Sequence, residues 1–446
     1  MKHKNIILYA GKIPELTVEN VQKLGQKTRR KHRVALIYDS KKKNPFPIPE
    51  GVDIVLSCDL DSDEAITKTL LPYFEEIIAV VVRGDSVVPQ LQKIIPHLPY
   101  VKTSTVQSLK WATDKIAMRQ MFSYYDKTIT PPFTVVHNAK KVTLKKIEED
   151  VGFPVVVKPA GLAASLLVSV CFHEEELEKV LKTTFRKIRT IYKEANGRGE
   201  PSVLVEQFME GEMYSVDAYI GSKGNISFCP LVHVKTGRSI GFDDFFGYQR
   251  ITPTTLNKED IEEAEEVATR SVYSLRLRST SAHIELLKTN QGWKVIEVGP
   301  RLGGFRHVMY IKSFGINHSA NDVLIRTSEK PIIPKKVLGH TAVFQFFAKD
   351  EGVLTKLTGI KKAQELRSFF SIEVNKKLGD RCLYAKNGGK SVFDIILFNK
   401  DRSELLADIR RLEQMVEIET ETRSSGNNTK KTSSKPKKVA TKIAQK

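Results

Sequence analysis

The stretch that decides the fold is HIELLKTNQGWKVIEV, residues 283–298, in which two apolar runs flank a short polar segment. The apolar runs predict two antiparallel strands joined by a tight turn. Each strand carries one acid, Glu285 in the first and Glu297 in the second. A three-residue turn centred on Gln291 would place Glu285 directly opposite Glu297.

Two carboxylates in that position repel each other, because directly opposed side chains have Cβ atoms only about 4.5 to 5.5 Å apart. Such a pair needs a shared proton or a cation between the two groups. A hard divalent ion such as Mg²⁺ is the simplest neutraliser, since it takes oxygen ligands from one or two carboxylates and from substrate phosphates. The alternative is that both acids face solvent, and a bulge or an even-length loop would put them on opposite faces of the sheet.

The composition is that of a folded protein with a moderate excess of positive charge. Of the 446 residues, 41% are hydrophobic and 28% are charged, and the formal net charge is +19. The segment from Arg423 to Lys446 contains one Arg, seven Lys and no acid, so it contributes +8 and leaves +11 for the rest of the chain. Because this polar segment cannot bury apolar area, we expect residues 422–446 to be a disordered basic tail.

Neither a membrane span nor a disulfide framework is indicated. The four cysteines are far apart, with no CxxC motif. The longest apolar run, Ile77 to Val82, is far shorter than the roughly 20 residues that cross a bilayer. We therefore expect a cytoplasmic protein without membrane contact.

The segments around the acidic hairpin predict several structural units. The first hundred residues alternate short β-branched runs with amphipathic stretches, which predicts a doubly wound parallel sheet. A polar helical connector is predicted from Thr105 to Tyr125. A separate unit is predicted from about Val337, with a helix over Ser403 to Met415.

A lysine at the end of a buried strand is a candidate phosphate ligand. Lys158 follows the apolar run Phe153 to Val157 and precedes the small-residue loop Ala160 to Ser165. The ammonium could meet phosphates as a point charge while the small residues let backbone N–H groups approach. The alternative is a lysine that extends into solvent from a strand end.

Two further segments have a functional and a plain interpretation. The segment Leu204 to Glu212 is a strand running into a turn with three acids, which could present its backbone to a purine edge and a carboxylate to ribose, or could be an exposed acidic turn. In Gly299 to Gly304, Arg301 supplies a fixed charge suited to a transferring phosphoryl group, but a Gly-rich strand exit is also simply a turn.

In this order, the four segments make the sequence resemble the ATP-grasp superfamily of carboxylate-amine ligases, over roughly residues 1 to 420. The resemblance implies phosphate contacts from Lys115 and Lys158, with Ser165 in the phosphate loop. It implies adenine contacts from the segment containing Glu206, Gln207 and Met209, and a ribose contact from Glu212. It implies that Glu285 and Glu297 bridge the metal, and that Arg301 and Lys158 are the catalytic residues.

The same resemblance implies an α/β and α+β multidomain fold. Its parts would be a Rossmann-like N-terminal lobe, a two-lobed ATP-grasp domain, a small C-terminal α+β unit and the basic tail, over residues 1–110, 111–330, 331–421 and 422–446.

The chain departs from the family pattern in two places. The family usually has Asn two residues after the second acid, whereas this chain has Gly299, so a water or a bidentate Glu297 would have to replace that ligand. The phosphate loop also contains fewer glycines than usual, with Leu162 among its residues.

The implied activity is ATP-dependent ligation through an acyl phosphate, with ATP and Mg²⁺ (or Mn²⁺) as cofactors and a small carboxylate and an amine, such as amino acids, as substrates. A homodimer is the expected oligomer. His233, Lys235, Arg238 and Arg250 are cations that could meet a carboxylate or could simply be solvated. The main alternative is a non-catalytic ATP-binding regulator that contacts nucleic acid through the basic tail. A biotin-dependent carboxylase component is disfavoured because no biotinyl-acceptor segment is visible.

Overall fold

The computed structural model describes residues 4–42, 47–162, 166–194 and 200–421. Ser165 and the basic tail 422–446 lie outside the described residues, so their expected roles have no structural counterpart here. Within the described ranges, no helix is both long and apolar enough to cross a membrane.

The N-terminal region is a parallel four-stranded sheet in the order β3-β2-β1-β4, as the alternating pattern predicted. Its strands are β1 (Ile6–Ala10), β2 (Arg33–Asp39), β3 (Ile54–Cys58) and β4 (Ile77–Val82). Its helices are α1 (Thr17–Thr28), α2 (Asp63–Leu70), α3 (Val88–Ile94) and α4 (Val106–Thr113).

Both faces of this sheet are buried, which explains why its strands are continuous apolar runs. Ile6 and Leu8 of β1 pack in the cluster that contains α2 and α3. Ile7 and Tyr9 point to the opposite face and pack against α1 and, across the chain, against Val323. The N-terminal sheet is therefore tied to a much later helix.

The predicted helical connector is two helices, because Asp114 interrupts it. This residue has extended backbone angles, and its carboxylate accepts hydrogen bonds from Ile116 N and Ala117 N. A side-chain oxygen in that position caps the start of a new helix, α5 (Lys115–Tyr125). The break places Lys115 at the first position of α5.

A small antiparallel sheet follows, in the order β5-β8-β6-β7. Its elements are β5 (Phe133–Val136), α6 (Lys141–Asp150), β6 (Val155–Pro159), β7 (Ser169–Cys171), α7 (Glu174–Glu194) and β8 (Val203–Gln207). Val155 and Val157 pack against α6 and α7. Strand alternation therefore points Lys158 to the face away from these helices.

The next elements build most of a larger sheet. They are β9 (Glu212–Ile220), β10 (Ile226–Phe228), β11 (Val232–Thr236), β12 (Gly247–Thr252), α8 (Lys258–Ser274), β13 (Thr280–Thr289), β14 (Gly292–Gly299), α9 (Arg306–Phe314) and α10 (His318–Arg326). Ile284 and Leu286 of β13 pack on Ala264 and Ala268 of α8. The residues that alternate with them, including Glu285, face the other side.

The C-terminal elements continue this larger sheet. They are β15 (His340–Phe346), β16 (Gly352–Thr358), α11 (Ile360–Gln364), β17 (Phe369–Val374), β18 (Arg381–Cys382), β19 (Phe393–Asn399), α12 (Arg402–Met415) and β20 (Glu417–Glu421). The larger sheet runs β14-β13-β9-β11-β12-β15-β19-β17, with β10 beside β9, and β16, β18 and β20 form a separate three-stranded sheet. The change of unit predicted near Val337 therefore does not coincide with a break in the larger sheet.

We expect the C-terminal elements to unfold together with the rest of the larger sheet. Leu405 of α12 is fully buried in the cluster formed with β15 and β19, so Leu405→Ala should lower the free energy of unfolding by about 2–5 kcal/mol. Urea unfolding can be followed by far-UV circular dichroism and by the fluorescence of Trp111 and Trp293, which lie outside the C-terminal elements. The two midpoints should fall together, whereas Arg410→Ala, at an exposed position of the same helix, should leave both unchanged. A lower midpoint by dichroism alone would contradict a shared cooperative unit.

Candidate functional site

The small sheet and the larger sheet face each other across a cavity of about 580 Å³, called the first cavity below. Eight of the residues predicted from the sequence line it: Lys115, Lys158, Glu206, Gln207, Met209, Glu212, Glu285 and Glu297. Arg301 lines a neighbouring cavity instead. The structure therefore brings eight of the predicted residues together at one cleft.

Glu285 and Glu297 are register partners in β13 and β14, as predicted, but for a different reason. The turn has two residues, since Thr289 pairs with Gly292, and that register alone would not bring the acids together. A β-bulge at Ile296 shifts the pairing by one residue and restores the match. An even loop alone or a bulge alone would put the acids on opposite faces, whereas here they occur together and cancel.

The bulge also decides which side each residue of β14 faces. Val295 and Val298 both pack against the α8 side of the sheet, which strict alternation over three positions would forbid. The extra residue, Ile296, leaves a carbonyl outside the strand ladder, and this carbonyl accepts a hydrogen bond from Arg119 Nη2 at 2.7 Å. The bulge is thus held by a side chain of α5.

The first residue of α5, Lys115, contacts one of the two acids. Lys115 Nζ lies 3.4 Å from the Glu297 carboxylate and donates a hydrogen bond to Leu162 O at 2.8 Å. Lys115 therefore joins the second acid to the loop that follows β6.

Glu285 is neutralised from the other side. His283 Nε2 lies 3.6 Å from its carboxylate, and His283 Nδ1 is 2.6 Å from the buried carboxylate of Asp217. Burial alone would raise the pKa of Glu285, but the hydrogen bond and charge of His283, with the charge of Arg301, lower that pKa to about 2. Glu285 is therefore ionised at neutral pH.

The two carboxylates fit a magnesium ion that is shared with a phosphate ligand. They offer oxygen donors from adjacent strands, which is the donor type this ion prefers. Among the described residues, no group of three or more His, Cys, Asp or Glu side chains converges as a complete protein site. The remaining ligands would have to be water and substrate oxygens, as is usual for this metal.

A buried ion-pair triad lies across the cavity from the acids. The Glu206 carboxylate is 2.6 Å from Arg119 Nε and 2.6 Å from Lys158 Nζ, and all three residues are buried. Burial would raise the pKa of Glu206, but the charges of Arg119 and Lys158 lower that pKa to about 2. Burial lowers the pKa of Lys158, although Glu206 opposes the effect. The Glu206 side chain thus holds two cations in place.

The segment that joins β8 to β9 passes close to the larger sheet. Gly211 lies against Lys288, so that a Cβ at this position would be 2.3 Å from Lys288 O. Among the described residues, nothing accepts a hydrogen bond from Met209 N–H, and the side chain of Met209 lines the first cavity. Glu212 accepts a hydrogen bond from the Tyr214 hydroxyl at 2.8 Å.

Arg238 lies against three aromatic rings and forms an ion pair of 3.6 Å with Asp243. Its guanidinium carbon is 5.2 Å from the centroid of Phe208, 5.7 Å from Phe245 and 6.0 Å from Phe172. Such cation–π contacts position a charge at the wall of the first cavity.

A second cavity of about 660 Å³ adjoins the first and shares Glu285 and Glu297 with it. Arg301 lines this second cavity and forms an ion pair with Asp85 of the N-terminal region. The Arg301 guanidinium also covers Gly299, since a Cβ there would be 3.2 Å from Arg301 Cζ. The position where the family usually has Asn is thus occupied by an arginine side chain.

The sequence analysis missed three residues that hold the site together: Arg119, Asp217 and Arg306. Arg119 lies four positions after Lys115 on α5, so helical periodicity could have placed both on one face. Asp217 alternates with apolar residues along β9, and its position opposite His283 requires the strand register. No sequence signal places Arg306 in the cavity.

Residues 151–308 match the ATP-grasp domain family. Over 227 residues the chain is 26% identical to alanine–anticapsin ligase of Bacillus subtilis strain 168, which covers 48% of this chain and 46% of that protein. The structure of an L-amino acid ligase from Bacillus licheniformis matches with a TM-score of 0.71 and 19% identity, over 95% of this chain and 100% of that chain. N5-carboxyaminoimidazole synthetase from Staphylococcus aureus, complexed with ADP, matches with a TM-score of 0.65 and 15% identity, over 92% and 98% of the two chains.

These matches show that the chain has the ATP-grasp fold, as the sequence pattern indicated. The chain spans between 46% and 64% of the length of the curated relatives that it matches first.

The ion-pair triad should contribute strongly to stability. Glu206→Gln leaves Arg119 and Lys158 buried without their carboxylate, which should lower the free energy of unfolding by about 3–5 kcal/mol at pH 7. Because the folded pKa of Glu206 lies below its usual value, this contribution is present above about pH 4.5 and is lost as the pH falls toward 2. Urea unfolding at pH 7 tests the prediction, with Glu210→Gln, an exposed acid in the next segment, as the matched control. Equal stabilities for the two variants would contradict the role of the triad.

Proposed function

We propose that this chain, whose residues 151–308 form an ATP-grasp domain, is an ATP-dependent ligase that joins a carboxylate to an amine. The observation that carries the proposal is the pairing of Glu285 with Glu297 on the wall shared by two cavities. A pair of like charges at that position requires a cation, and the two cavities offer space for a nucleotide and for a second substrate.

The first cavity has the features that a nucleotide needs. Lys115 and Lys158 place two ammonium groups on its walls, where they would bind phosphates. The unpaired N–H of Met209 would serve the adenine edge, and Glu212 the ribose hydroxyls. Arg119 Nη1 is buried and has no partner among the described residues, so it is a further donor available to a ligand.

Glu285 and Glu297 would hold the magnesium ion, which when bound neutralises charge on the phosphate oxygens. The structure supports two protein ligands, not three, because Gly299 has no side chain and Arg301 covers it. Substitution of the usual Asn by Gly thus exchanges a neutral ligand for a nearby fixed positive charge.

The chemistry requires no protein nucleophile. A substrate carboxylate oxygen attacks the γ-phosphorus of ATP and the bond to the bridging oxygen breaks, which gives an acyl phosphate and ADP. The amine then attacks the acyl carbon, inorganic phosphate leaves and the amine proton is released. Lys115 and Lys158 would hold the transferring group, and Arg301 would stabilise its charge from the second cavity.

The proposal is tested by ADP release with Mg²⁺ and pooled carboxylates and amines, followed by mass spectrometry of the products. We expect ADP release that depends on both substrates and a product with the mass of their amide. No substrate-stimulated ADP across broad pools would overturn the ligase proposal and favour a non-catalytic nucleotide-binding protein.

Removing one charge of the acid pair should abolish the metal-dependent step. Glu297→Gln keeps the shape of the side chain and should reduce kcat at least about 100-fold, as expected when transition-state charge stabilisation is lost, while the melting temperature changes little. Glu259→Gln, an exposed acid on α8, is the control and should retain full activity. Unchanged Mg²⁺-dependent nucleotide binding by Glu297→Gln would argue against the metal role.

The domain boundaries, the cytoplasmic location and the homodimer stay predictions. The homodimer rests on the family resemblance, and the other two rest on the sequence pattern, as does nucleic-acid binding by the basic tail.

A further inference from the structure

Two arginines on the wall of the second cavity, Arg250 and Arg306, form no ion pair with any residue that the structure describes. Arg250 Nη1 donates to Gly247 O at 3.0 Å, and its guanidinium carbon lies 5.5 Å from the Phe305 ring centroid. Arg306 Nη2 donates to Ser215 Oγ at 2.6 Å. Among the residues that the structure describes, no carboxylate oxygen lies within 4.0 Å of either guanidinium.

These two guanidiniums are close enough to repel each other. Burial and the charge of Arg306 lower the pKa of Arg250 to about 10, although the charges of Glu285 and Asp394 oppose the effect, and Arg250 stays protonated at pH 7. Arg306 is buried, and its Nε has no hydrogen-bond partner in the described part of the chain. A buried charge without a carboxylate at ion-pair distance, as at Arg306, is costly. This end of the second cavity therefore suits an anion, for which the planar guanidinium fork is well shaped.

The far end of the same cavity has the opposite charge. Asp394 and Glu373 both line it and are direct register partners in β19 and β17. Asp394 accepts hydrogen bonds from Ser391 Oγ at 2.6 Å and from Gln345 Nε2 at 3.3 Å, which fix its orientation. Lys390 lies at the exposed rim, but within the described ranges no cation forms an ion pair with either acid.

Asp394 and Glu373 also place like charges directly opposite each other, which destabilises a sheet, but solvent reaches the exposed Glu373. Here the neighbours are neutral amide and hydroxyl groups rather than Lys and His. A cationic group that enters the cavity would relieve the repulsion.

The sheet fixes the separation of the two charged ends. Arg250 pairs with Val343, and Gln345 pairs with Asp394, so the arginine and the acid lie two strands and two residues apart. With strands about 4.8 Å apart and residues about 3.4 Å apart along a strand, their Cα atoms are about 12 Å apart. The side chain of Arg250 spans part of the distance between the two Cα atoms. The space left between its guanidinium and the Asp394 carboxylate suits a ligand whose charges are separated by several bonds.

We propose that the second cavity selects a carboxylic acid that carries a cationic group at the end of its side chain, such as a basic amino acid. Its carboxylate lies against Arg250 and Arg306, beside Glu285 and the first cavity, where phosphorylation would occur. Its cationic group lies between Asp394 and Glu373. This inference rests on the proposed ligase function, and it assigns the specificity to the C-terminal strands β17 and β19.

The test compares substrates that differ only in the terminal charge. ADP release is measured with lysine against norleucine, and with 6-aminohexanoate against hexanoate, at saturating amine. We expect kcat/KM for each charged member to exceed that of its neutral partner at least about tenfold, as for one charge-assisted hydrogen bond. Equal values within each pair would overturn the proposal.

Variants then assign the preference to the two acids. Asp394→Asn and Glu373→Gln should each reduce the lysine preference severalfold, mainly through KM, and should leave kcat/KM for norleucine within about threefold. Glu365→Gln, an exposed acid of the same unit, should keep the wild-type preference. Because Glu373 is exposed, its variant should fold even where Asp394→Asn does not. An undiminished lysine preference in a folded Glu373→Gln, Asp394→Asn or double variant would overturn the assignment.

Failure of this inference can be separated from failure of the ligase proposal. Melting temperatures are measured with lysine or norleucine in the presence of Mg²⁺ and ADP. ADP release without a charge preference would refute the cavity assignment but keep the ligase. The melting temperature could instead rise with lysine but not with norleucine, and this rise could be lost in Glu373→Gln, while no acid gives ADP release. That result would support the cavity assignment and refute the ligase proposal.

Discussion

Two like charges held face to face, Glu285 and Glu297, are the constraint on which the rest of the site depends. A sheet does not place ionised carboxylates opposite each other without compensation. Here each acid has its own partial counter-charge, Lys115 for Glu297 and His283 for Glu285. The two contacts are 3.4 Å and 3.6 Å long. The remaining negative charge of the pair is the basis of the proposed cation site.

The helix α5 joins the two halves of the cleft. Lys115 reaches Glu297 of the larger sheet and Leu162 beyond the small sheet, while Arg119 binds both Glu206 and the bulge carbonyl of Ile296. Lysine and arginine four residues apart lie on one face of a helix, so a single helical surface contacts both sheets. The cap at Asp114 is what starts this surface at Lys115.

The sequence predicted the composition of the first cavity better than its construction. Glu285 and Glu297 were identified because acids inside apolar strands conflict with burial, and the conflict is visible without coordinates. The two-residue turn and the bulge were not predicted, because Ile296 is one more apolar residue in an apolar run. The Arg119–Glu206 pair joins a helix to a strand 87 positions away, and no local pattern records such a contact.

The C-terminal strands show another limit of the sequence. A change of unit near Val337 was expected from the chain alone, but β12 and β15 pair directly, and only strand register places Arg250 and Asp394 on the wall of one cavity. Arg250 and Asp394 are 144 positions apart in the sequence. They reach the same cavity through backbone hydrogen bonds between strands, which extended residues of any type could make. The separate roles that we propose for the two acidic pairs rest on this placement.

The bond from Arg119 to the bulge carbonyl also restricts how the cleft can open. A movement of the small sheet directly away from the larger one would break the contact of Arg119 with either Glu206 or Ile296. Loss of Glu206 would leave the buried charge of Arg119 without a carboxylate. Rotation about an axis running through the start of α5 would instead leave that anchor intact while the outer rim swings. A rotation at the start of α5 is therefore the movement of the cleft that preserves both contacts of Arg119.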